Sequence, residues 1–169
     1  MAGKEDILKK FDQFVSFIKN KKVALVGLGI SNTPLIDFLL RGGALVSAHD
    51  KKTEAEFDSD FISSLKDKNI KLFLGKDYLN NFDEDIIIKA PGIRRDAGAL
   101  PLAVERGAVL TSEMELFFKI SGCEKLAITG SDGKTTTTTL TYLMMCEHYK
   151  DTGRTVYVGG NIGKPLLSG

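Results

Sequence analysis

One stretch of the chain has residue types and spacing suited to holding phosphate. Leu126-Ala127-Ile128-Thr129-Gly130-Ser131-Asp132-Gly133-Lys134-Thr135-Thr136 reads as a buried strand, a glycine-rich turn and a helix start in direct succession. Glycines let the backbone wrap closely around an anion, while the turn's amides and the helix N-terminus supply partial positive charge. Lys134 adds a full charge, and the Thr135 hydroxyl is placed to hold a magnesium ion bridging phosphates. The general P-loop pattern asks for glycine at the position of Ile128, so the match is to the shorter form Gly-x-x-Gly-Lys-Thr-Thr. This makes Gly130, Ser131, Asp132, Gly133, Lys134, Thr135 and Thr136 the expected phosphate-binding residues, with Thr135 the expected metal ligand.

A second loop lies about a hundred residues earlier and could serve a different anion. Gly27-Leu28-Gly29-Ile30-Ser31-Asn32 follows an apolar strand and opens a helix, as a dinucleotide fingerprint does, but Asn32 stands where the third glycine belongs. The turn's amides remain suited to a diphosphate, and Ser31 adds a hydroxyl. Asp50 closes the next strand, where an acidic residue commonly accepts hydrogen bonds from a ribose or base. Pro91-Gly92 reads either as a tight turn or as a backbone contact with ligand. His49 and His148 show no partner pattern and are expected to be surface or packing residues.

These loops need elements to position them. Apolar residues at helical spacing predict a helix over 5–19. The continuous run at 22–27, ended by glycine, predicts a strand buried on both faces of a parallel sheet. Helices are then expected at 33–41, 58–68 and 98–106, alternating with strands at 44–48, 71–74, 85–89 and 109–111. Strands alternating with helices imply right-handed crossovers and a parallel α/β sheet, a Rossmann-like domain over 1–112. A bridging helix at 113–120 opens a second segment, 113–169, with strands at 125–129 and 155–158 flanking a helix at 135–148. Two strands and one helix are too few to cover a sheet, so this segment reads as the cut-off start of a second, P-loop ATPase α/β domain.

Composition sets bounds on partners. In 169 residues, 23 Lys and Arg face 22 Asp and Glu, and 43% are hydrophobic, an ordinary globular balance with no global field to draw nucleic acid or lipid. Any anion must be held by a local site. Cys123 and Cys146 lack metal-ligand spacing and are expected to pack, which suits a reducing compartment. No run approaches the roughly 18 apolar residues of a membrane span, and no export leader is evident at the start. A cytoplasmic protein without nucleic-acid or membrane partners is expected.

The chain resembles the Mur ligase family along essentially its whole length, and is closest to the branch that adds D-glutamate. The resemblance is carried by six motifs in the family's order: Gly27-Leu28-Gly29-Ile30-Ser31, Asp50-Lys51-Lys52, Ala90-Pro91-Gly92-Ile93, Ser112-Glu113-Met114-Glu115-Leu116-Phe117, the loop from Gly130 to Thr136, and Gly159-Gly160-Asn161-Ile162-Gly163. Asp132 departs from the asparagine usual in the family's nucleotide loop.

What the resemblance implies is an ATP- and Mg2+-dependent amide ligase of peptidoglycan precursor synthesis, with Gly130, Ser131, Asp132, Gly133, Lys134, Thr135 and Thr136 binding ATP, Lys134 catalytic and Thr135 on the metal. Its substrates would be UDP-N-acetylmuramoyl-L-alanine and D-glutamate, joined through an acyl phosphate. The UDP-substrate residues carried over are Gly29, Ile30 and Ser31 for phosphate, Asp50 and Lys51 for uracil, Gly92 through its backbone, and Asn161 near the sugar diphosphate. Glu113 and Glu115 are expected as interdomain or helix-start charges. A monomer is expected, inactive by itself if the downstream parts are missing. The alternatives are an alanine-adding member of the family, which usually carries a richer first glycine loop, and a nicotinamide-dependent oxidoreductase, against which Asn32 and the second phosphate loop both argue.

Overall fold

A computed structural model describes residues 4–160 together with Leu167. The chain divides into two units, Met1–Gly122 and Cys123–Gly169. In the first, α1 (Lys4–Ile18) leads into β1 (Lys22–Val26), α2 (Leu35–Arg41) and β2 (Leu45–Asp50). A short 3-10 turn (Glu54–Glu56) precedes α3 (Ser59–Asp67), β3 (Lys71–Leu74), β4 (Ile86–Lys89), α4 (Leu100–Glu105), β5 (Val109–Thr111) and α5 (Glu113–Ile120). The division falls after Gly122, later than the expected break at Ser112, because α5 packs on α1 of the first unit.

The five strands form one parallel sheet in the order β3-β2-β1-β4-β5. This is the Rossmann-like architecture expected. Central β1 explains it: Val23, Ala24, Leu25 and Val26 are all fully buried, so both faces of the strand are covered. In register with it, Ile86, Ile87 and Ile88 of β4 are equally buried. Ala24, Val26 and Ile87 pack on one face with Phe82 and with Leu100 and Ala103 of α4. Their neighbours Val23, Leu25, Ile86 and Ile88 alternate to the other face.

Helix boundaries follow local chemistry. Asp58 caps α3 by accepting from the amides of Asp60 and Phe61, both at 3.0 Å, and Ser112 caps α5 by accepting from Glu115 N at 3.3 Å. Pro34 sits just ahead of α2, where its missing N–H costs nothing.

The second unit departs from expectation. Its helix, α6 (Lys134–Tyr149), forms as predicted, but 125–129 and 155–158 are not strands. The physical reason lies in pairing: a parallel ladder needs neighbours and covered faces, and among the described residues this unit offers neither. No residue of α6 is buried, and Leu126, Leu140, Leu143 and Met144 are exposed. Cys123 is exposed rather than packed, while Cys146 is half-buried. No helix among the described residues is long and apolar enough to cross a membrane.

Candidate functional site

Strand order reverses between β1 and β4, and in open parallel sheets the crevice beyond the carboxyl ends of such a strand pair is where ligands bind. The chain leaves β1 through Gly27, whose φ is +88°. A Cβ there would lie 2.8 Å from Ala90 Cβ and 3.2 Å from Ile93 Cδ1, so glycine is what lets the 27–32 and 90–93 loops meet. The two are also joined directly, Ala90 N donating to Val26 O at 2.7 Å.

The peptide between Gly27 and Leu28 is gripped at both ends. Asn32 Nδ2 donates to Gly27 O at 3.0 Å, and Leu28 N donates to Asp50 Oδ2 at 2.6 Å. The same Asn32 amide reaches Val26 O at 3.0 Å and Ile88 O at 3.3 Å, tying β1 to β4. Farther on, Thr33 N donates to Gly29 O at 3.0 Å. The amides of Gly29, Ile30 and Ser31 meet no acceptor among the described residues, and Ile30 is 83% exposed. A short row of unclaimed N–H groups at a strand's carboxyl end suits a phosphate or diphosphate.

The structure brings most of the first predicted site together. Gly29, Ile30 and Ser31 follow β1, Asp50 ends β2 with Lys51 just beyond it, and Gly92 follows β4, with open space where its side chain would be. Lys51 is exposed, but Asp50 is buried and already engaged, since its Oδ1 accepts from Lys52 N at 2.9 Å. Asn161 lies outside the described residues. The buried Asn32, noted in the sequence only as a departure from the fingerprint, is structurally central. Its Oδ1 is buried without a hydrogen-bond partner among the described residues, a cost of about 1–3 kcal/mol in general.

The predicted nucleotide loop belongs to the second unit. Gly133 caps α6 in the left-handed region, φ +70°, and no side chain caps the helix. The first backbone bond of α6 is Thr137 N to Gly133 O, so the preceding amides of the first turn are open to an anion. Lys134 Nζ turns back over the loop and donates to the carbonyls of Gly130 and Ser131. Gly130 through Thr136 are all exposed. These features fit a polyphosphate.

A third cluster escaped the sequence reading. His49, expected at the surface or in simple packing, is 1% exposed and stacked between Phe73 and Phe82, with ring centroids 4.5 and 4.8 Å away. Its Nδ1 lies 2.9 Å from Tyr78 O and its Nε2 3.4 Å from Glu84 Oε1, while Ser47 Oγ donates to the same carboxylate oxygen. Burial pushes the Glu84 carboxyl up, but the hydrogen bonds from His49 and Ser47 and the charge of His49 outweigh it and hold Glu84 below its ordinary range. Glu115 binds locally too, accepting from Thr111 Oγ1 at 3.1 Å and pairing with Arg95 at 3.4 Å.

A five-stranded parallel sheet with unclaimed loop amides at its switch point defines a Rossmann-like α/β unit. Comparison narrows that class. The chain is 51% identical over 161 residues to the UDP-N-acetylmuramoylalanine–D-glutamate ligase of Clostridium kluyveri, covering 95% of this chain and 34% of that protein. It is 52% identical over 162 residues to the ligase of the same name from Clostridium novyi, with the same coverage. The Acetivibrio thermocellus ligase of that name is 48% identical over 160 residues.

The chain thus spans about a third of the length of these curated relatives, and its likeness is to their N-terminal third. Among solved structures, the UDP-N-acetylmuramate–alanine ligase of Thermotoga maritima aligns with 78% of this chain and 30% of its own, at 24% identity and a TM-score of 0.49. No family model matches the chain.

Proposed function

We propose that this segment forms the N-terminal part of a cytoplasmic ligase that uses ATP to join D-glutamate to UDP-N-acetylmuramoyl-L-alanine. The observation that carries the reading is identity of 51% over 161 residues with a ligase of that name, a span that includes both glycine-rich loops. The first unit would bind the uridine diphosphate end of the substrate. There the amides of Gly29, Ile30 and Ser31 would hold phosphate oxygens, Asp50 and Lys51 would meet the uracil, and Gly92 would line the same ligand.

ATP and Mg2+ would supply the phosphoryl group and neutralise its charge, turning the substrate carboxylate into an acyl phosphate. Attack by the D-glutamate amine then forms the amide and releases phosphate. Within this chain, Lys134 would bind the β and γ phosphates and Thr135 would hold the metal. Gly130, Ser131, Asp132, Gly133 and Thr136 would wrap the polyphosphate. Catalysis of this kind rests on positioning and charge neutralisation rather than on a covalent intermediate with the protein.

The reading is tested by calorimetric titration of the 169-residue chain with UDP and with NAD. Saturable UDP binding without NAD binding is expected. Tight NAD binding with no UDP response would replace the ligase with an oxidoreductase.

A further inference from the structure

The Rossmann fingerprint uses its third glycine to bring helix and strand close together. Here that position carries a fully buried amide side chain. Asn32 Nδ2 meets three carbonyls, Val26 O, Gly27 O and Ile88 O, so one side chain spans the two strands that border the crevice. Its carbonyl oxygen is left buried and unpaired among the described residues. Packing alone gives no reason to keep such an atom where glycine would serve, and unpaired buried groups tend to persist where a site requires them.

The direction of the loop amides supplies a reason. A trans peptide is planar with its C=O and N–H pointing opposite ways. Asn32 holds the carbonyl of the Gly27–Leu28 peptide while Asp50 holds its N–H, so the plane cannot rotate. This is the first peptide of the loop, and its plane sets how the chain proceeds into the amides of Gly29, Ile30 and Ser31.

We infer that Asn32 is a positioning residue for the diphosphate part of the ligand: by clamping the Gly27–Leu28 peptide against Asp50 and tying β1 to β4, it fixes the loop amides in their anion-binding orientation. The inference rests on the uridine diphosphate reading of this crevice. It assigns Asn32 no contact with the ligand. Asp50 gains a second task, because the carboxylate proposed to face uracil also braces the phosphate loop.

The test compares UDP with uridine, which lacks the phosphates, in NMR-detected titrations of the 169-residue chain and of Asn32→Gly and Asn32→Ser. Asn32→Gly completes the glycine fingerprint and is compatible with helix–strand packing, and Asn32→Ser retains one donor. UDP affinity should fall about tenfold or more in Asn32→Gly and less in Asn32→Ser, the scale of one charge-assisted hydrogen bond, while uridine affinity changes by less than about twofold.

A merely structural residue would not move the ratio of the two affinities. Equal losses for UDP and uridine, or unchanged UDP affinity in a folded Asn32→Gly, would overturn the inference and leave the nucleotide reading standing. Failure of the unmutated chain to bind UDP would remove both.

Discussion

Two glycines of the same loop should answer very differently to a single methyl group. At Gly27 the backbone has φ +88°, where an L side chain costs roughly 1–2 kcal/mol. The added Cβ would also sit 2.8 Å from Ala90 Cβ, an atom fixed to the backbone of the adjoining loop, and relieving such overpacking typically costs about 1–3 kcal/mol. Gly27→Ala should therefore destabilise the first unit by about 2–4 kcal/mol, lowering its melting temperature on the order of 10 °C.

At Gly29 nothing lies within 4 Å of the added atom, and φ is not in the left-handed region. Gly29→Ala should change stability by less than about 0.5 kcal/mol. Its methyl would nonetheless stand beside the unclaimed amides, so UDP affinity should fall while the fold holds. Thermal and urea unfolding followed by circular dichroism, with UDP titrations alongside, separates the two. Equal destabilisation by both variants, or a Gly27→Ala as stable as the parent, would refute the close approach of the 27–32 and 90–93 loops.

Lys134→Ala, in a full-length ligase carrying this segment, should cost about one to two orders of magnitude in ATP affinity while leaving UDP-substrate affinity and melting temperature unchanged; parallel losses of all three would make Lys134 structural. Glu84→Gln should destabilise the first unit by about 1–3 kcal/mol at neutral pH by removing the charge that faces His49. Because the folded-state pKa of Glu84 is depressed, its contribution is present above the ordinary value of 4.5 and is lost as pH falls through the lower folded value. The stability gap between parent and Glu84→Gln should therefore close in acid, and a gap constant from pH 7 to about pH 3 would contradict the pairing.

The strands of the first unit were legible because parallel strands buried on both faces read as unbroken apolar runs, as 22–26 and 86–88 do. The starts of α3 and α5 fall close to the expected positions 58 and 113, because the capping side chains of Asp58 and Ser112 act locally. The order of the strands was not, since nothing within β1 states that β2 and β4 flank it. The same limit hid His49: Ser47 shares its strand, but Tyr78 and Glu84 come from later segments that only the folded sheet brings to it. Asn32 was visible as a departure from a motif, but its three carbonyl partners were not. In the second unit, 125–129 and 155–158 have strand composition without a ladder to join among the described residues, so local propensity overstated what forms there.

The placement of β1 at the centre of a parallel sheet also favours an order of assembly. Its first residue meets β4's side of the sheet through Lys22 N and Asp85 Oδ2, groups 63 residues apart in the chain. Closing that loop costs roughly 1 kcal/mol more in chain entropy than closing the shorter β1–β2 crossover. During synthesis from the N-terminus, β1, α2 and β2 can therefore associate first, and the crevice wall formed by β4 arrives late. Until it does, the carbonyl of Ile88 is not there to receive Asn32, so the 27–32 loop of the nascent chain acquires its final shape only when that wall closes.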